Sequence, residues 1–183
     1  MMLRTLTLVT TSVLALAASS CSGSAPPPAQ GSLYIHIASS SSTPAGKTCN
    51  IPAHNAQIGT QAPGQTDPGT RVEDGNSGAY VRCTVKGSST FTVTGTMRKG
   101  SVSFQLNGKV PKTGDGTASI SSYDPNSATT LSSPNGTECT VTPIQLAGGR
   151  IWAHFECPGF TNPSSPSTYC KADGFFVFEN CDQ

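Results

Sequence analysis

Apolar residues recur at every second position along much of the chain, the spacing of strands that bury one face and wet the other. Leu33, Ile35 and Ile37 alternate with Tyr34 and His36, and Val81, Cys83 and Val85 with Tyr80, Arg82 and Thr84. Phe91 and Val93 alternate with Thr90, Thr92 and Thr94, then Val102, Phe104 and Leu106 with Ser103, Gln105 and Asn107. Four such runs fill residues 79–122, separated by short breaks at 86–88, 98–100 and 111–116. Glycine-bearing breaks of that length predict an antiparallel meander. Further runs at 138–142, 149–157 and 174–179 bring the total to about eight strands. No stretch has the spacing of an amphipathic helix of three turns. The pattern predicts an all-β domain, an antiparallel β-sandwich or small barrel, with irregular segments at 38–78, 123–137 and 158–169. The first of these is long enough to hold one more short strand near Gln57 and Ile58.

The amino terminus follows a different pattern. One basic residue, Arg4, precedes an apolar run from Leu6 to Ala18 interrupted only by Thr7, Thr10, Thr11 and Ser12. A basic start, a short apolar middle and small residues make a secretory signal over residues 1–20. The run falls short of the roughly 20 apolar residues of a comfortable membrane span. It ends Leu16-Ala17-Ala18-Ser19-Ser20-Cys21, which resembles the lipobox of bacterial lipoproteins, although Ala18 stands where that motif usually has Leu. The resemblance implies that Cys21 is lipidated and begins the mature chain in the cell envelope. Ser22, rather than Asp, implies the outer membrane if the host has one. The alternative is ordinary cleavage near Ala17 and a secreted product. Residues 22–31, rich in Ser, Gly, Ala and Pro and free of charge, suit a flexible tether, so residues 21–31 are expected to link the lipid to one domain at 32–183.

Cysteine parity supports the lipid independently. Of seven cysteines, assigning Cys21 to a lipid leaves Cys49, Cys83, Cys139, Cys157, Cys170 and Cys181, the even set a disulfide framework needs. Six cysteines allow 15 pairings. Sequence alone does not choose among them; the working expectation is Cys49 with Cys83, Cys157 with Cys170, and Cys139 with Cys181. No Cys-x-x-Cys pair argues for zinc, and export favours oxidation.

Composition narrows the partners. Only 11% of residues are charged, and residues 21–183 carry ten basic against ten acidic side chains. No basic run exceeds Arg98-Lys99, so the sequence gives no nucleic-acid footprint and no polybasic membrane patch; contact with a membrane is expected through the lipid alone.

Motifs for chemistry are sparse. Asp74-Gly75-Asn76-Ser77-Gly78, with His54 upstream, resembles the glycine-flanked serine segment of chymotrypsin-like proteases. Only 23 residues separate His54 from Ser77, too few for the double barrel of that family, and a turn entering the next strand explains the segment better. On the run at 149–157, Trp152, His154 and Glu156 share one face opposite Ile151, Ala153 and Phe155, a combination able to bind a ligand or move a proton, or equally a plain solvent-facing stripe. His36, His54 and His154 form no metal-ligand spacing, and no cofactor motif is present. The expectation is an envelope-anchored, non-enzymatic binding or structural domain for an unidentified protein or small molecule. A secreted hydrolase and a disulfide-stapled protease inhibitor are the alternatives.

Metabolic labelling with a fatty acid tests the anchor: the wild-type chain should take up label and Cys21→Ala should not. Label persisting in Cys21→Ala would remove the lipoprotein assignment.

Overall fold

A computed structural model describes residues 25–40, 43–60, 69–136 and 138–183. The expected signal and Cys21 lie outside the described residues. The domain is all-β and antiparallel, as the alternation predicts. Its strands are β1 (Gln30–Ser39), β2 (His54–Ile58), β3 (Val72–Glu73), β4 (Tyr80–Gly87), β5 (Thr90–Lys99), β6 (Val102–Pro111), β7 (Gly116–Tyr123), β8 (Thr130–Ser132), β9 (Cys139–Ala147), β10 (Arg150–Asn162) and β11 (Ser165–Glu179). The eight expected runs became β1, β4 to β7 and β9 to β11. The segment at 38–78 supplies β2, where a short strand was expected, and β3; β8 comes from 123–137.

All eleven belong to one sheet, in the order β2-β1-β11-β10-β8-β7-β6-β5-β4. β9 pairs with both β10 and β7, so β8 and β9 share the position between those two strands. The sheet folds over on itself, and the alternating apolar residues meet in the middle. Phe104 of β6 lies 5.7 Å, between ring centroids, from both Phe155 of β10 and Phe176 of β11. Phe178 of β11 lies over Gly95 of β5, where a β-carbon would stand only 2.3 Å from the ring. Glycine inside a strand otherwise weakens it; here the missing side chain makes room for an aromatic from the opposite layer.

The loop expected at 158–169 is instead the outer part of the β10–β11 hairpin. Pro158 and Gly159 lie at a register shift between Cys157 and Phe160, where a bulge removes the need for an amide donor and lets the strand continue. Beyond it Phe160 and Cys170 are fully buried. Strand β1 likewise starts at Gln30, within the expected tether, because Gln30 and Gly31 pair with both β3 and β11.

All six expected cysteines are in disulfides, but none of the three suggested pairs forms. The bonds are Cys49–Cys170, Cys83–Cys181 and Cys139–Cys157. Register explains the difference: Cys157 stands opposite Ala172 and Cys170 opposite Phe160 on the β10–β11 ladder, while Glu156 opposite Thr140 brings Cys157 beside Cys139. The chain end closes the fold. Asp182 exchanges hydrogen bonds with β4 through Val85 N–H (2.9 Å) and the Cys83 carbonyl (3.0 Å), next to Cys83–Cys181. Cys49–Cys170 fastens the first long loop to β11, beside the hydrogen bonds of Thr48 to Ser167 and Tyr169.

The Phe178–Gly95 contact sets a test of the layer packing. Gly95→Ala should cost about 1–3 kcal/mol through overpacking, a fall in Tm of roughly 2–4 °C per kcal/mol. Adding Phe178→Leu should recover part of that loss, with a coupling of about 1 kcal/mol in a double-mutant cycle. Strict additivity in thermal melts would show that the two positions do not press on one another.

Candidate functional site

The residues singled out from sequence fall into three separate places. Ser77 sits in a 3-10 turn, Asn76–Gly78, with left-handed backbone (φ 50°), and its hydroxyl donates to Asn76 Oδ1 at 2.9 Å. His54 opens β2, where both ring nitrogens are engaged: Nδ1 with the Pro52 carbonyl at 2.8 Å and Nε2 with the Asp124 carboxylate at 3.1 Å. Neither nitrogen is left for a serine hydroxyl, so the structure forms no Ser77–His54 dyad.

Trp152, His154 and Glu156 do share the outer face of β10, opposite the buried Ile151, Ala153 and Phe155. Their exposure differs sharply along that face: Trp152 is 2% exposed, His154 half-buried and Glu156 exposed. Trp152 stands between Val177 and Gln145, and His154 packs its ring 5.0 Å from that of Phe175. Glu156 faces Asp173, whose own carboxylate is held by His36 Nδ1 at 3.3 Å. His154 therefore packs on an aromatic ring and is paired with no carboxylate among the described residues. The described residues hold no cluster of three or more metal-ligating side chains.

What the structure gathers around His54 is a hub built on Asp124. Oδ1 accepts from the amides of Asn126 (2.8 Å) and Ser127 (3.1 Å), and Oδ2 from the Ser127 hydroxyl (2.6 Å). The carboxylate is 1% exposed and His54 11%. Burial pushes the Asp124 carboxyl up, but the Ser127 hydroxyl, His54 and the two amides together outweigh it and hold the group below its ordinary value. Aspartate, histidine and serine thus meet, yet in an order that activates nothing: the serine donates to the carboxylate and not to the imidazole. The hub fastens β2 to the loop after β7. Beside it lies a polar cleft of about 320 Å³ lined by Asn50, Asn126, Asn162, Ser127, Thr129 and Thr168, among others. Several of its groups are already engaged within the fold, Thr168 donating to Asn50, Asn162 accepting the Ser164 amide and Ser127 donating to Asp124.

The outer face of β4 to β8 is different. Two rows of side chains cross it in register: Thr84, Thr94, Asn107 and Ser119, and beside them Arg82, Thr96, Gln105, Ser121 and Ser132. With Ser133 and Asn135 at one side they line a trench of about 480 Å³, within the usual size range of a ligand site. The hydroxyls and carboxamides of Thr84, Thr94, Thr96, Gln105, Asn107, Ser119 and Ser121 make no hydrogen bond to other described residues, so their capacity is free for a ligand. The row beyond runs Tyr80, Arg98, Ser103, Tyr123 and Thr130. Alternation alone foretold that Tyr80, Arg82, Thr84, Thr94, Ser103, Gln105 and Asn107 face outward. It did not foretell that they lie side by side, because that depends on register across five strands.

No protein-family model, curated protein or solved structure matches this chain.

Asp124 sets a pH dependence with a definite sign. A carboxyl held below its ordinary value of 3.8 adds stability that is present above that pH and lost as pH falls through the folded-state value. Asp124→Asn should destabilise the domain by about 3 kcal/mol near pH 7, and the gap to wild type should narrow below the ordinary carboxyl range. Denaturant melts near neutrality and near pH 2.5 measure it; an unchanged gap would show that ionisation of Asp124 contributes nothing.

Proposed function

We propose that this chain is an exported lipoprotein, tethered to the cell envelope through Cys21, whose domain is a non-enzymatic binding module that takes a glycan along the outer face of β4 to β8. The observation that carries the reading is the trench: a continuous array of hydroxyls and carboxamides with unused hydrogen-bonding capacity, held on a rigid sheet. Sugars offer the same groups in return, each hydroxyl both donor and acceptor, so Thr, Ser, Asn and Gln at fixed spacing recognise them without net charge. Strand geometry fixes that spacing at about 4.8 Å between strands and about 6.7 Å between same-face residues along a strand. Pre-organisation of this kind reduces the entropy lost on binding.

Tyr80 on β4 and Tyr123 on β7 add flat amphipathic rings in the row beside the trench. Three disulfides favour an oxidising compartment, in keeping with export. Attachment by a lipid and a flexible tether suits a module that displays a binding face off the membrane surface. A catalytic reading has less support, since Ser77, His54 and His154 each engage a different neighbour.

Affinity electrophoresis of the processed protein in mild detergent, through gels carrying neutral and acidic polysaccharides in turn, tests the proposal. At least one polysaccharide should retard the protein. Asn107→Leu with Ser119→Val, two outward positions, should weaken retardation by about tenfold or more while Tm stays close to wild type. Absence of retardation by every polysaccharide, or equal retardation of the double variant, would overturn the proposal.

A further inference from the structure

The charge of the domain is divided in space far more than its near-neutral total suggests. Between Asp74 and Asp115 the chain carries six cations, Arg82, Lys86, Arg98, Lys99, Lys109 and Lys112, and no carboxylate. The rest of residues 21–183 holds four cations against all ten acids. Residues 75–114 are almost wholly β4, β5, β6 and their turns, so the division becomes one of surface. Arg82, Lys86, Arg98 and Lys109 stand at exposed positions of the same face that carries the trench.

Register arranges them as a sparse lattice. Lys86, Thr92 and Lys109 form one cross-strand row, and Tyr80, Arg98 and Ser103 another, with Arg82 between the two. Lys86 and Lys109, two strands apart, are separated by about 10 Å at the backbone, and Arg82 and Lys86, four residues apart, by about 13 Å. Such distances are close to the screening length of about 8–10 Å at ordinary ionic strength, so neighbouring charges reinforce one another's field. Only Arg82 has a carboxylate partner among the described residues, Asp74 at 3.5 Å, and it remains 69% exposed. On the opposite layer, by contrast, Arg71 and Arg150 both pair with Glu179 at 2.7 and 2.8 Å.

We infer that the ligand of the β4–β8 face is an acidic polysaccharide, a polymer of sugar hydroxyls bearing regularly spaced carboxylate, sulfate or phosphate groups. The inference rests on the glycan reading above and adds the charge. Hydroxyls and carboxamides in the trench meet the sugar, and the cations around it meet the anions, which are free to keep much of their hydration because the lysines are exposed.

Two other polyanions fit less well. Double-stranded nucleic acid presents a charge every 1.7 Å or so, far denser than this lattice. An anionic membrane would be met best by a face that also offers apolar side chains for insertion, and among the described residues the only exposed large hydrophobic one on this face is Tyr80, Ile144 lying on β9.

Matched pairs of polymers separate charge from backbone: polygalacturonate against its methyl ester, and dextran sulfate against dextran, each titrated into the processed protein in neutral detergent. At least one acidic member should bind about tenfold or more tightly than its neutral twin. That difference should shrink as salt is raised, and Lys86→Gln with Lys109→Gln should reduce acidic binding by about tenfold. Lys47→Gln with Lys171→Gln, away from this face, should leave it unchanged, and both double variants should keep the wild-type melting temperature. Equal binding of acidic and neutral twins would overturn the inference and leave the glycan reading standing; binding of none of the four polymers would count against both. Competition by single-stranded DNA or by phosphatidylglycerol mixed into the micelles, as effective as the acidic polymer, would also overturn it in favour of a general polyanion or membrane surface.

Discussion

The packing of Phe178 onto Gly95 joins the middle of one layer to the middle of the other, and the rest of the architecture depends on it. β11 is the strand flanked by β1 and β10, and β5 the strand flanked by β4 and β6. Where they touch, the continuous sheet is folded double, so that one face of every long strand is dry. Burial of Phe104, Phe155, Phe176 and Phe178 supplies the apolar area that holds this arrangement. The consequence for function is simple: with the inner face committed to packing, recognition has only the outer faces and the rim.

Those surfaces differ in how far their polar groups are already satisfied. At the rim, Asp124 gathers two amides, a hydroxyl and an imidazole, and nearby Thr168 donates to Asn50 while Asn162 accepts the Ser164 amide. That is the pattern of a structural joint, where each polar group is buried with its partner. On β4 to β8 the outward side chains of Thr84, Thr94, Thr96, Gln105, Asn107, Ser119 and Ser121 have no hydrogen-bond partner among the described residues. On β1, β11 and β10 the outer face is closed in part by its own aromatics, with Trp152 buried and His154 against Phe175. Its indole nitrogen has no hydrogen-bond partner among the described residues.

Much of the scaffold was legible along the chain. The alternation gave every long strand, the glycine-bearing breaks gave the meander, and the even set of six cysteines gave a disulfide framework. The outer part of the β10–β11 hairpin, 158–169, reads as a loop in the sequence because Pro158 and Gly159 look like breakers, whereas a bulge accommodates both. The cysteine partners differ from the expected ones because pairing follows strand register and the return of distant segments, which the sequence does not carry. Cys83 meets Cys181 only because the chain end returns to lie beside β4.

Strand identity and inward or outward direction are local properties, set by a two-residue period that each segment carries for itself, and the sequence determined them. Which strands lie side by side, and in what register, depends on contacts between residues as far apart as 30 and 179, and only the tertiary structure decided it. Disulfide partners, the Asp124 hub and the cationic lattice all belong to this second kind. The lattice escaped sequence because its charges are spread along three strands, never more than two adjacent in the chain, and become neighbours only when hydrogen bonding lays those strands about 4.8 Å apart.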